Sequence, residues 1–137
     1  MISLDNSPPS HHLTSLFQPP ANLIFRGTYS EVKANAKNNA KWLLVNIQDS
    51  QEFASHMLNR DVWADDIVQN VVQSEFLFWQ QYRNAEEGRK FIQLYHVATF
   101  PYVAIIDART GQEMVHWNGF VDASDIVMKC TVFIITY

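Results

Sequence analysis

Cysteine is almost missing from this sequence: Cys130 is the only one in 137 residues. A single thiol cannot make an intrachain disulfide, a redox dithiol or an all-cysteine metal site. It fits a reducing compartment. Glycine is scarce as well, and Gly27, Gly88, Gly111 and Gly119 are too scattered to form a phosphate-cradling loop. Basic charge is in deficit, with 10 Lys and Arg against 14 Asp and Glu and a net charge of -4. A nucleic-acid binder concentrates cations, so the balance argues against that class. Long apolar runs are absent too. The longest lies at 131–137, far short of the roughly 20 residues that a membrane span needs. The first fifteen residues lack the basic start and apolar run of a secretory signal.

What is present suits a folded domain. Apolar residues make up 47% and charged residues 18%, unlike the composition of disordered chains. A chain of this size buries roughly two thirds of the surface its unfolded form exposes. Pro8, Pro9, Ser10, His11 and His12 give residues 1–15 the look of a flexible leader. After Pro19 and Pro20, Thr28 with Glu31 forms a capping box that opens a helix over 29–38. The run Trp42, Leu43, Leu44, Val45, Asn46, Ile47 reads as a strand buried on both faces. Ser50 is the next expected N-cap, with Phe53 and Met57 on one face. Asn59, Arg60 and Asp61 interrupt that helix, and another follows over 65–74 with Ile67, Val68, Val71 and Val72 as its stripe.

A second strand is expected at Phe76, Leu77, Phe78 and Trp79, then a helix capped by Asn84 with Glu87, using Phe91, Leu94 and Tyr95 on one face. His96 to Thr99 read as a turn. An apolar strand over 102–107 turns at Asp107, Ala108, Arg109, Thr110 and Gly111 into a partner over 114–117. Asp122 with Asp125 opens a last helix. Alternating strand and helix, then a hairpin, predicts an α/β fold: a mixed sheet with helices on both faces.

Phe100-Pro101 stands between a helix and an apolar strand, where proline belongs at the strand start. A cis bond costs little before proline and suits a tight helix-to-strand turn; an ordinary trans proline is the alternative. In a thioredoxin-like fold a cis-proline at this place faces the functional site, and a dithiol sits at the mouth of the helix after the first central strand. Here that mouth reads Gln48, Asp49, Ser50, Gln51, Glu52, Phe53, with no CxxC. Thiol–disulfide chemistry is excluded by composition. His56, His96 and His116 lack metal-ligand spacing, so neither a metal nor another cofactor is expected. Asp65-Asp66 and Glu86-Glu87 read as first-turn helix charge. Trp42 and Trp79 read as core, while Trp63, beside Asn59, Arg60 and Asp61, and Trp117 at the hairpin end are candidates for an interface.

The run Leu58-Asn59-Arg60-Asp61-Val62-Trp63, then Phe76 to Trp79, Glu86-Glu87-Gly88 and Phe100-Pro101-Tyr102-Val103, resembles the UAS domain of UBX-domain proteins. Arg109-Thr110-Gly111-Gln112 fits a branch with plant members, and the resemblance covers about residues 16–125. It implies a thioredoxin-like fold without redox chemistry. It further implies an adaptor of the ubiquitin–proteasome pathway that brings ubiquitylated clients to the AAA segregase valosin-containing protein.

The expected organisation is a leader at 1–15, the UAS domain at 16–127 and a divergent tail at 128–137. That tail is apolar and β-branched, which disfavours helix and favours strand or aggregation. The chain therefore reads as one module cut from a longer adaptor, with the segregase-binding UBX domain not included. A non-enzymatic interaction module, cytoplasmic or nuclear, is expected. Its surface would involve Gln48, Asp49, Gln51, Phe53, Trp63, Phe100 and Pro101. Two alternatives stand beside it. Some related UAS domains bind long-chain unsaturated fatty acids, although no clear basic pocket for a carboxylate is visible here. A thioredoxin-fold enzyme is the other, and the missing thiols oppose it.

Overall fold

The structure, a computed structural model, describes residues 18–137. The expected leader at 1–15, with His11 and His12, lies outside the described residues. The elements in chain order are α1 (Tyr29–Asn38), β1 (Trp42–Gln48), α2 (Phe53–Met57), a π-helical segment (Leu58–Trp63), α3 (Asp66–Glu75) and β2 (Phe76–Tyr82). Then come α4 (Glu86–Tyr95), β3 (Tyr102–Ile106), β4 (Glu113–Asn118) and α5 (Ala123–Thr136). Among the described residues they form one four-stranded sheet of order β2-β1-β3-β4. β1 pairs parallel to β2 and antiparallel to β3, and β4 closes an antiparallel hairpin on β3. This is the mixed sheet expected from the pattern.

The two-residue period of the strands divides the core. Leu43, Val45 and Ile47 face α1 and α4 together with Trp79, Ala104 and Ile106. Leu44, Phe76, Phe78, Val103 and Ile105 face α3 and α5, meeting Val68, Val72, Ile126 and Phe133. β1 is apolar nearly throughout because it is the central strand, covered on both faces. On the far side of β2, Ile24 forms a parallel bridge to Phe78, and the Phe25 amide donates to the Phe78 carbonyl at 2.7 Å. That contact satisfies part of an otherwise open edge.

Caps set the helix starts. At α1 the box is complete: Thr28 Oγ1 accepts from the Glu31 amide at 3.1 Å, and Glu31 Oε1 accepts from the Thr28 amide at 2.7 Å. Asp65 caps α3 through the Val68 amide, and Asp122 caps α5 through the Asp125 amide. Two expected caps are not used. Ser50 lies before the start of α2, whose N-cap is Glu52 without a side-chain bond. Asn84 is also displaced: Ala85 is the N-cap of α4, and Glu87 instead accepts the amide of Tyr29 at 2.8 Å. Glu87 thus supports the start of α1 as well as pairing with Lys90 in its own helix. Gly88 lets α4 approach β2, since a Cβ there would stand 2.0 Å from the Tyr82 carbonyl oxygen.

Two other expectations are revised. Residues 59–61 do not end the helix after Phe53; the chain continues as a π-helical segment to Trp63. The residues from Met128 onward are helical, not extended, and α5 runs unbroken to Thr136. Burial of Cys130 and Phe133 against the sheet outweighs the β-branched composition. Phe133 packs edge-on against Trp42 with ring centroids 4.8 Å apart.

Candidate functional site

On the α3/α5 face, the apolar stripe of the strands changes character toward the C-terminal ends of β1 and β2. Leu44 is followed by Asn46 and Gln48, and Phe78 by Gln80, and all three amides are buried. The π-helical segment closes over them with Asn59 and Trp63. Asn46 Oδ1 accepts from Gln48 Nε2 at 2.8 Å, Gln80 Nε2 at 2.9 Å and Trp63 Nε1 at 3.0 Å. Asn59 Oδ1 accepts from Gln48 Nε2 and Gln80 Nε2, both at 3.0 Å. Asn46 Nδ2 donates to the carbonyl of Tyr102 at 3.1 Å, which ties the network to the residue after Pro101. Such a buried polar cluster persists because its members satisfy one another.

Above this network lies the mouth of α2. Asp49 Oδ1 accepts from the Gln51 amide at 2.9 Å, and the Asp49 amide donates to Ser55 Oγ at 3.1 Å. Arg83, just beyond β2, donates its amide to the Gln48 carbonyl at 2.7 Å. Its guanidinium reaches Asp49 Oδ2 at 3.2 Å and lies over the Phe100 ring at 4.5 Å. Phe100-Pro101 is a cis peptide.

The expected surface is thus divided. Asp49, Gln51 and Phe53 stand at the mouth, Phe53 being 62% exposed, and Phe100 is joined to Asp49 through Arg83. Gln48, Trp63 and Pro101 are buried. Trp63 has 0% exposure, so its indole serves the network and cannot meet a partner. It is buried because the π-helical segment turns it inward against Phe78, 4.7 Å between centroids. Sequence reasoning missed Arg83, Asn46, Asn59 and Gln80. The available signal was an amide at alternate positions of two adjacent strands, Asn46 and Gln48 on one and Gln80 on the other.

The mouth offers amides, one carboxylate–guanidinium pair and an aromatic ring. His56 Nε2 meets the Ser50 carbonyl at 2.7 Å, not a serine hydroxyl, and Ser55 Oγ is occupied by the Asp49 amide. No group of three or more His, Cys, Asp and Glu among the described residues is placed to hold a metal. Cys130 is buried on the inner face of α5, and desolvation pushes its thiol up to about 12. It has no place at this mouth.

A family model described as thioredoxin-like matches residues 24–108. The chain belongs to the thioredoxin-like family. A thioredoxin from Thermus thermophilus superposes with a TM-score of 0.73 at 16% identity, covering 83% of this chain and 89% of that one. The DsbH oxidoreductase superposes at 0.70 and 14% identity, covering 100% and 96%. Among curated sequences, this thioredoxin-like chain is similar to UBX domain-containing proteins. It is 42% identical to plant UBX domain-containing protein 7 of Arabidopsis thaliana, over 91% of this chain and 27% of that protein. The UBX domain-containing protein 7 homolog of Dictyostelium discoideum is 41% identical over 90% and 25%. UBX domain-containing protein 2 of Schizosaccharomyces pombe is 35% identical over 95% and 30%. The chain spans about a quarter of the length of these relatives. Unlike a redox-active thioredoxin, it has one cysteine and therefore no CxxC.

Proposed function

We propose that this thioredoxin-like chain is a non-catalytic protein-interaction module of a ubiquitin–proteasome adaptor that works with the AAA segregase valosin-containing protein. The observation that carries this reading is the match of some nine-tenths of the chain to UBX domain-containing proteins. The chemistry of the mouth agrees with it. Where a redox member of the fold needs a thiolate at a helix N-terminus, α2 opens on Asp49, Ser50, Gln51 and Glu52. The exposed part of that mouth is a contact surface formed by Asp49, Gln51, Phe53, Arg83 and Phe100. A cytoplasmic or nuclear place accords with this reading. No described helix is long and apolar enough to cross a membrane.

Two measurements test the proposal. Co-precipitation of client proteins should fall when Arg83→Ala and Phe100→Ala are combined in the adaptor, while recovery of the segregase, which the UBX domain binds, stays the same; an unchanged client yield overturns this surface. Insulin reduction by the purified chain should show no turnover. Turnover above buffer would overturn the non-catalytic reading.

One observation favours fatty-acid binding as a second reading. An open groove of about 460 Å³ runs between β4 and α5, lined by Met114, Val115, Trp117, Met128, Lys129 and Val132 among others. Lys129 Nζ lies 5.5 Å from the centre of the Trp117 ring. Trp117 Nε1 is buried without an acceptor among the described residues. A cation beside an apolar trough suits a carboxylate with a hydrocarbon tail. Titration with oleate should change tryptophan fluorescence, and Lys129→Gln should weaken the response. An identical response in that variant removes the reading.

A further inference from the structure

The proposed contact surface occupies the end of the sheet where β1 finishes. At the opposite end, where β1 begins, the structure collects positive charge on an otherwise acidic chain. Lys33, Lys37, Lys41 and Arg109 make up four of its 10 basic residues. Lys33 and Lys37 are one helical turn apart on α1, and Lys41 follows its end. Arg109 comes from the β3–β4 turn. A cavity of about 250 Å³ brings Lys37, Lys41 and Arg109 together over Trp42, Ala40 and Asp107. The Lys33 ammonium lies over the same turn, since a Cβ on Gly111 would stand 3.4 Å from its Nζ.

These cations are poorly neutralised. None of Lys33, Lys37 and Lys41 is ion-paired among the described residues. Lys41 Nζ is held by the Gln73 carbonyl at 2.8 Å, and Lys33 lies 5.8 Å from the centre of the Tyr29 ring. Arg109 meets Asp107 at 3.4 Å, with its own side chain 74% exposed. Two lysines without counter-ions, Lys37 and Lys41, line the concavity with Arg109, and Lys33 lies beside it, which raises the local potential and favours an anionic visitor.

We infer that this end of the domain docks an extended acidic peptide, with carboxylates at alternate positions. Cations one helical turn apart are about 6 Å apart along the helix axis. Alternate side chains on one face of an extended strand are about 6.6 Å apart, so the two repeats match. Asp107 separates this partner from other polyanions. Its oxygens already accept from the Arg109 amide at 2.9 Å and from the Arg109 guanidinium, so it stands as a fixed negative charge that repels a dense row of phosphates more than spaced carboxylates. Trp42 is half-buried and packed edge-on against Phe133, so it offers no free platform for a base. No residue lining the cavity is an exposed large apolar side chain that could enter a bilayer.

The test is fluorescence anisotropy at low ionic strength with a short fluorescein-labelled peptide alternating Glu and Ser. Its Gln–Ser counterpart, a single-stranded oligonucleotide and phosphatidylserine vesicles serve as competitors. Lys37→Glu combined with Arg109→Glu should weaken binding by about tenfold or more, because two attractions become repulsions. Arg89→Glu with Lys90→Glu on α4 reverses the same charge elsewhere and should leave binding unchanged. Thermal melts of both variants confirm that they fold. The inference is overturned if the intact chain does not bind the acidic peptide, or if both reversals weaken it equally. Tighter binding of the oligonucleotide or the vesicles than of the peptide overturns it as well.

Discussion

Asn46 Oδ1 receives the indole N–H of Trp63 at 3.0 Å, joining the central strand to the π-helical segment in the interior of the domain. The same oxygen receives Gln48 and Gln80. One carbonyl therefore organises three donors on three elements, and the mouth of α2 rests on that junction.

Replacing Asn46 with Leu should be costly. It strands the Trp63 donor and removes one acceptor each from Gln48 and Gln80. The expected loss is about 2–4 kcal/mol, from the usual cost of buried donors left unpaired. Urea unfolding followed by tryptophan fluorescence measures it, and a loss under about 0.5 kcal/mol would show that the network is dispensable.

Phe133→Ala tests whether α5 belongs to the folded core. The ring is 6% exposed and lies against Trp42 and Phe76. Truncating a buried phenylalanine costs about 3–5 kcal/mol. A neutral outcome would mean that the residues after Met128 contribute nothing to the domain.

Arg83→Ala should separate the surface from the fold. The guanidinium is 51% exposed, so its pair with Asp49 is screened by water and contributes under about 1 kcal/mol. Thermal unfolding should barely move while partner binding falls, because Phe100 loses the group that lies over its ring. A large drop in melting temperature would instead make Arg83 a structural residue.

Alkali should destabilise the domain. Burial raises the Cys130 thiol from 9.0 to about 12. It also raises the phenols of Tyr29 and Tyr102, which are raised further by hydrogen bonds to Tyr95 and Glu113 respectively. Below pH 9 these groups are protonated in both states and nothing changes. Between about pH 9 and 12 the unfolded chain loses its protons first, so stability declines as pH rises through that window. Urea midpoints taken across it should fall steadily. Over the same range Cys130 should resist alkylation until the chain is unfolded.

Where the fold was legible, strong periodicity made it so. The central strand, the capping box at Thr28 and the turn at Gly111 stand where their local chemistry puts them. Failures came where a residue served a distant partner. Glu87 looks like a local cap for α4, yet it holds the first amide of α1 across the fold. Trp63 lies in a polar-looking stretch, and only the wider π-helical turn shows that it points inward. The division of the site between exposed Gln51 and Phe53 and buried Gln48 depends on which face of β1 α2 covers. Residue types alone carry no record of that. Arg83 escaped notice because its two partners, Asp49 and Phe100, are remote in sequence on either side of it.

The amides beneath the mouth carry a last consequence. Asn46, Gln48, Asn59 and Gln80 have no proton to gain or lose in the physiological range. Whatever the acidity or redox poise around it, the ground under this surface keeps the same charge and the same bonds. Under the proposed contact reading, these amides would hold the mouth of α2 in one arrangement whatever docks there.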